Sequence, residues 1–287
     1  TTYVRNLFSD TRPGGSQEES IPADEDTQGL FFDIHSFSKL VLWPWGHRAV
    51  RSGNATALET LGMRLAWFND YEPQQAIGLY ATRGTTDDFA YGELGVPAYT
   101  IELGVAFFEN CTTFQSTTAP KNLAALRYAA RTLHAPYKLP AGPDTYTASI
   151  QPPVVWIGDQ ATLSADISDN RYRDPRQNSS VIVQPRTRHS IAGARYYIDE
   201  LPWESGATGI DMQPSDGQFD ATEENVEAVI DTSTLAPGRH LIYVQGWDIA
   251  GEAGPPKAVF LDILPRAEPF SDGFEQPVLV ARPSSRH

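Results

Sequence analysis

Hydrophobic and polar positions follow two different rhythms along the chain. From Asn54 to Tyr71, Leu58, Leu61, Leu65 and Phe68 recur three and four residues apart. This predicts an amphipathic helix with Asn54 as its N-cap. From Pro120 to His134, Leu123, Leu126, Ala130 and Leu133 predict a second helix, opened by Pro120 and stopped by Pro136. Tyr3, Val4, Leu7 and Phe8 share helical spacing and read as the end of a helix. Leu30 to Ile34 and Leu40 to Trp43 are apolar runs too short for lone helices, and predict buried strands. Ala76 to Ala81 and Ala98 to Leu103 predict two more strands, while the polar stretches Arg12 to Gln28 and Thr82 to Gly95 read as loops. Strands alternating with helices predict an α/β fold.

Helical spacing disappears after Ala141-Gly142-Pro143-Asp144. Short β-type runs follow at Val154 to Ile157, Ala161 to Ile167, Val181 to Val183, Ala194 to Ile198, Val226 to Ile230, His240 to Trp247 and Ala258 to Leu264. Turn dipeptides such as Asp216-Gly217 and Pro237-Gly238 lie between them. Short strands at this density predict an all-β, antiparallel sandwich of immunoglobulin type. The predicted division is an α/β part over residues 1–145, a sandwich over 146–265 and a tail over 266–287.

Composition narrows the choice of partner. A chain of 287 residues with 40% hydrophobic and 20% charged residues has the make-up of a globular protein with about two domains. Its formal net charge of −14 disfavours nucleic acid and anionic membrane surfaces as partners. No apolar run approaches the length of a membrane span, and no signal-peptide pattern is present. The single cysteine, Cys111, excludes an internal disulfide and a Cys-rich zinc site. Three glycosylation sequons begin at Asn54, Asn110 and Asn178, a pattern short enough to arise by chance.

Two polar residues stand out against apolar strands. His35 follows Leu30 to Ile34 at the strand's C-terminal end, where open α/β sheets bind ligands. Composition alone favours an ordinary rim histidine. Glu102 interrupts the apolar strand Tyr99-Thr100-Ile101-Glu102-Leu103, and reads equally as a solvent-facing strand end or as a functional carboxylate. Tyr80, alone, is an aromatic at a strand end, and Asp87 and Asp88 are ordinary loop-capping residues.

The continuous string Asp33-Ile34-His35-Ser36-Phe37-Ser38-Lys39-Leu40-Val41-Leu42-Trp43-Pro44-Trp45-Gly46 changes that weighting. It resembles the strand of zinc metallocarboxypeptidases of the carboxypeptidase A/B family that carries their third zinc ligand. Thr100-Ile101-Glu102-Leu103 resembles a second motif of that family. The resemblance implies His35 as a zinc ligand and Glu102 as the general base and acid at a zinc-bound water. It implies Tyr80 as a cap on the bound substrate, and Ser36 and Phe37 as lining for its penultimate residues. It makes Asp87 the floor of the pocket for the last side chain, with a Lys or Arg preference, and Asp88 a structural residue that caps backbone N–H groups. It also implies a secreted or periplasmic protein that acts on peptide or protein C-termini.

The likeness runs from about Thr1 to Asp144 and is similar only to the second half of such a domain. The family's His-x-x-Glu zinc motif does not occur before His35. Arg5-Asn6 echoes the family's carboxylate-binding pair but lies too close to His35. The expectation is therefore a fragment whose partner is the missing N-terminal half of the catalytic domain, inactive alone, followed by an accessory sandwich. The alternatives are a non-catalytic binding or adhesion protein on a degenerate carboxypeptidase scaffold, and a structural sandwich with an α/β spacer.

Overall fold

The structure, a computed structural model, describes residues 2–12, 19–176 and 185–266. Its first part is a mixed sheet with helices packed against it. Helix α1 spans Thr2–Leu7. Strand β1 (Phe31–Ser36) runs parallel to β4 (Ala98–Leu103), β4 antiparallel to β2 (Leu40–Trp43), and β2 parallel to β3 (Glu72–Gln75), giving the order β1-β4-β2-β3. The four residues of β2 are all buried, as expected of a continuous apolar run in an interior strand. The third strand differs from expectation. It lies at Glu72–Gln75, and Ala76–Gly78 forms a 3-10 turn. Gln75 Nε2 donates to the carbonyls of Trp45, Arg48 and Val50 and fixes this earlier register. Pro73, which has no N–H, is tolerated because β3 is an edge strand.

Helix α2 (Ala55–Asn69) crosses the sheet with Leu58, Leu61 and Leu65 fully buried. A Cβ at Gly62 would stand 2.6 Å from the Trp43 ring, so glycine there permits the close approach of helix and sheet. Asn54 is not the expected cap. Its side chain bonds to the Ala23 backbone and the Tyr91 hydroxyl, and among the described residues no side chain caps α2. The stretch expected to be a loop contains helix α3 (Thr86–Leu94). Asp87 and Asp88 in its first turn complement the helix dipole, Gly95 ends it at φ +76°, and Ala90, Tyr91 and Leu94 form its buried stripe. Helix α4 (Cys111–Thr113), capped by Asn110, continues through a π-helical segment, Phe114–Thr118, into α5 (Ala119–Thr132). The buried face of α5 is also not the expected one. It consists of Asn122, Ala125, Tyr128, Ala129 and Thr132, while Leu123 is 50% exposed. The small alanines let α5 lie close to α2, and Asn122 bonds to Asn69 and the Tyr71 hydroxyl between them.

The second part is built of two sheets around one core that includes Leu163, Ile167, Ile191, Ile242, Val244 and Leu261. One sheet has the order β10-β11-β7-β5, formed by Gln213–Pro214, Glu223–Asp231, Gln160–Ser168 and Asp144–Gln151. The other has the order β6-β13-β12-β8-β9, formed by Val154–Trp156, Lys257–Leu264, Gly238–Asp248, Ile191–Ile198 and Ile210–Asp211. Strand β5 was not expected; it begins with buried Asp144 and Thr145 and then alternates Tyr146, Ala148 and Ile150 with polar residues. The strand expected at Val181 to Val183, the sequon at Asn178 and all but the first residue of the predicted tail lie outside the described residues.

Arginines join the two parts. Arg64 of α2 is fully buried and donates to Asp169 Oδ1 at 3.1 Å and to the Gly142 carbonyl at 2.5 Å, with its guanidinium over the Tyr172 ring. Arg131 of α5 donates to Asp144 Oδ1 and to the carbonyls of Thr145, Pro255 and Pro256.

Candidate functional site

The β1–β4 ladder sets His35 opposite Glu102 and Asp33 opposite Thr100. Residues two apart on a strand share a face, so Asp33, His35, Thr100 and Glu102 together line one side of a cavity of about 260 Å³. The turn after β3 contributes Ala76, Leu79 and Tyr80, and the start of α3 contributes Thr86 and Asp87.

Within this cavity His35 Nε2 lies 3.1 Å from Asp33 Oδ1, and Thr86 Oγ1 donates to Asp33 Oδ2. Glu102 has a buried Oε2 without a hydrogen-bond partner among the described residues. Burial raises its carboxyl above the ordinary glutamate range; His35 opposes that shift and Asp33 adds to it. A carboxylate held this way accepts a proton more readily than one in water. Tyr80 is 65% exposed at the mouth. Asp87 is only 2% exposed, and its Oδ1 accepts from the Asp88 N–H. Asp88 turns away from the cavity. It accepts from the Gly46 N–H at 2.9 Å and lies 2.9 Å from His47 Nδ1, while His47 Nε2 lies 2.7 Å from Glu19. Burial disfavours charge on His47, but the bonds to Asp88 and Glu19 outweigh it and raise the imidazole's pKa.

The cavity therefore brings together His35, Tyr80, Asp87 and Glu102. Ser36 and Phe37 are not among its lining residues. Ser36 Oγ donates to the Phe107 carbonyl, and Phe37 is 45% exposed. Sequence reasoning gave no role to Asp33 or Thr86. The i, i+2 spacing of Asp33 and His35 on a strand was the available signal for the first. Thr86 opens α3, within a stretch whose composition reads as a loop, and its only sequence signal is its place at a helix start.

A catalytic zinc takes three protein donors. Among the described residues no group of three or more His, Cys, Asp or Glu could hold a metal. His47 is engaged by Asp88 and Glu19, Glu72 by Arg176, and His134 stacks on Trp203. The described residues do not by themselves make a zinc site.

The zinc carboxypeptidase family model matches residues 17–119, well under half of the chain. A zinc carboxypeptidase of Saccharothrix mutabilis subsp. capreolus is 36% identical over 77 residues, covering 25% of this chain and 18% of the relative. A carboxypeptidase B of Helicoverpa zea is 36% identical over 87 residues, covering 26% of this chain and 20% of the relative. The chain thus contains a carboxypeptidase-like region and spans about a fifth of the length of these relatives. Among solved structures, the alkylpurine DNA glycosylase AlkC of Pseudomonas fluorescens aligns over 53% of this chain and 41% of its own at 14% identity. The TM-score of that alignment is 0.27.

Proposed function

We propose that the α/β part is one portion of a zinc carboxypeptidase that hydrolyses the C-terminal peptide bond of peptides or proteins. The observation that carries this reading is Glu102: a carboxylate with an unpartnered buried oxygen and a raised pKa, opposite His35 in one cavity. In this reading Glu102 takes a proton from water and passes it to the leaving amine, and Tyr80 covers the substrate from the mouth. Ser36 and Phe37 would contact the peptide outside the cavity, where Phe37 is open to solvent. The resemblance implies zinc. His35 is the one donor this reading assigns to it, and the others would come from outside the described residues.

Asp87 would pair with a Lys or Arg end, since a buried carboxylate in a cavity favours a cation there. The sandwich is read as an immunoglobulin-like accessory module, and its support is the splitting of the first strand pair between the two sheets, β5 in one and β6 in the other. A secreted or periplasmic location belongs to the same reading. No helix of the described residues is long and apolar enough to cross a membrane. The alternative, a non-catalytic binding protein, is favoured by the contact between His35 Nε2 and Asp33.

The test restores whatever coding sequence lies upstream of Thr1 and compares peptides ending in Arg and in Phe. Glu102→Gln is expected to lower kcat by roughly 10²- to 10⁴-fold with KM little changed. Undiminished turnover in Glu102→Gln would remove the reading, and absence of any turnover with bound metal would favour the binding protein. Asp87→Ala is expected to erase a preference for Arg.

A further inference from the structure

A second cavity, of about 570 Å³, adjoins the one around Glu102 and shares Gly84 and Thr85 with its wall. His47 stands in this wall between two carboxylates from distant parts of the chain, Glu19 and Asp88. Its Nε2 lies 2.7 Å from Glu19 Oε1 and its Nδ1 2.9 Å from Asp88 Oδ2. A neutral imidazole has one donor nitrogen and one acceptor nitrogen. It satisfies one of these contacts and turns a lone pair toward the other carboxylate. The imidazolium donates to both, so the geometry around His47 is that of its charged form. Other charges stand nearby. Arg48 pairs with Glu19, Arg12 lies over the Trp45 ring that meets His47 edge-on, and Asp87 adjoins Asp88 on α3. Arg83 and Glu93 line the same cavity, and Glu93 is paired with Arg5.

The two carboxylates are anchored differently. Asp88 belongs to the first turn of α3 and also accepts from the Gly46 N–H at 2.9 Å. Glu19 lies two residues before a stretch fixed by groups that do not titrate near neutrality. There the Ile21 carbonyl accepts from Arg12 Nη1, and Asn54 pairs with both backbone groups of Ala23. Glu19 itself is held by His47, by the 61% exposed Arg48, and through its carbonyl by the Trp45 indole N–H. An exposed pair of this kind holds weakly, so the bond to His47 is the strongest tie on Glu19. We propose that His47 is a proton-operated latch: the imidazolium fastens Glu19 to the start of α3, and loss of its proton frees Glu19, which pivots on residues 21–23 and widens the cavity. Burial opposes charge on His47, but the bonds to Asp88 and Glu19 overcome it, so the proton leaves above the ordinary histidine value of 6.5. The latch is therefore fully present below the unfolded value and is lost as pH rises through the folded one. At the acid end, burial pushes Asp88 up while its bond to His47 opposes this, and Glu19 is lowered, chiefly by its own bond to His47. The latch is closed between the titration of Asp88 and that of His47, whatever reaction the first cavity performs.

The test is an NMR titration of the full 287-residue chain labelled with ¹³C and ¹⁵N. His47→Gln identifies the His47 ring signals among those of the six histidines. The His47 midpoint is expected above 6.5, and the amides of Glu19 and Ser20 are expected to shift with that same midpoint. The Ala23 amide, held by Asn54, is expected to stay in place. Glu19→Gln is expected to lower the His47 midpoint. Release, as distinct from a change of field, is read from solvent exchange of the Trp45 indole N–H, which is bonded to the Glu19 carbonyl. Below the parent's midpoint this proton is expected to exchange several-fold faster in His47→Gln than in the parent, and above the midpoint at the same rate. If either variant does not fold, the parent's own midpoint and its coupled amide shifts decide. A His47 midpoint at or below 6.5 overturns the proposal, as does a Glu19 amide that does not follow it. A midpoint unmoved by Glu19→Gln, or indole exchange unaltered by His47→Gln at every pH, also overturns it.

Discussion

Glu102 shows how a strand tolerates a costly residue. Its carboxyl titrates above the ordinary glutamate value of 4.5, chiefly because burial penalises its charge. A raised folded-state pKa means stability that is fully present below the unfolded value and lost as pH rises through the folded one. Glu102→Gln removes that loss. The variant is expected to match the parent near pH 4 and to exceed it increasingly toward neutrality. Urea melts at several pH values check this, and a parent that gains on the variant as pH rises would contradict it. The residue was legible in the sequence as a carboxylate in an apolar strand, and His35 as an imidazole at a strand end. Their juxtaposition was not, because periodicity assigns a face to each strand but not the register between strands 67 residues apart, here from His35 to Glu102.

At the scale of elements, α5 teaches the limits of spacing. Of the leucines at helical intervals, Leu123 and Leu133 are exposed and Leu126 packs only partly against the core. Burial went to alanines and an asparagine, since close packing on α2 is limited by side-chain size and Asn122 finds polar partners there. Ala125 is fully buried, so Ala125→Leu is expected to cost about 1–3 kcal/mol by overpacking. Leu123→Glu is expected to change stability by no more than about 0.5 kcal/mol. Chemical denaturation of the two variants side by side checks the order, and the reverse order would restore the leucine face. Helix α3 escaped notice for a related reason. Its Thr85-Thr86-Asp87-Asp88 start and Gly95 stop are helix signals, but its buried stripe is a short run of Ala90, Tyr91 and Leu94 within a sequence rich in turn formers.

For the molecule as a whole, the change of texture near residue 142 was readable, and six of the seven strands expected after it match described ones within a few residues. The way the two parts meet was not, because buried arginines leave no periodic trace. Arg64 and Asp169 are both fully buried. Arg64→Met leaves Asp169 charged and unpaired, and is expected to cost about 3–5 kcal/mol. The Arg64→Met, Asp169→Asn double variant should lose much less than the sum of the single changes, which a double-mutant cycle by denaturation measures. Additive losses would mean that the pair does not couple the two parts. A sandwich fragment is expected to melt cooperatively when it begins near Pro143, and poorly when it begins at Thr147, which cuts away the buried start of β5.

The parallel pairing of β1 with β4 also has a kinetic meaning. The ladder closes a long loop, whereas Val244 and Lys257 in the β12–β13 pair are only 13 residues apart. Loop-closure entropy grows with separation, so local pairings gain protection first. In pulse-labelled hydrogen exchange during refolding, the amides of β12 and β13 are expected to become protected before those of β1. His35 and Glu102 would then meet only after most of the chain around them has formed, and the cavity they share would be absent from any earlier intermediate. Protection of β1 ahead of β12 would reverse that sequence of events.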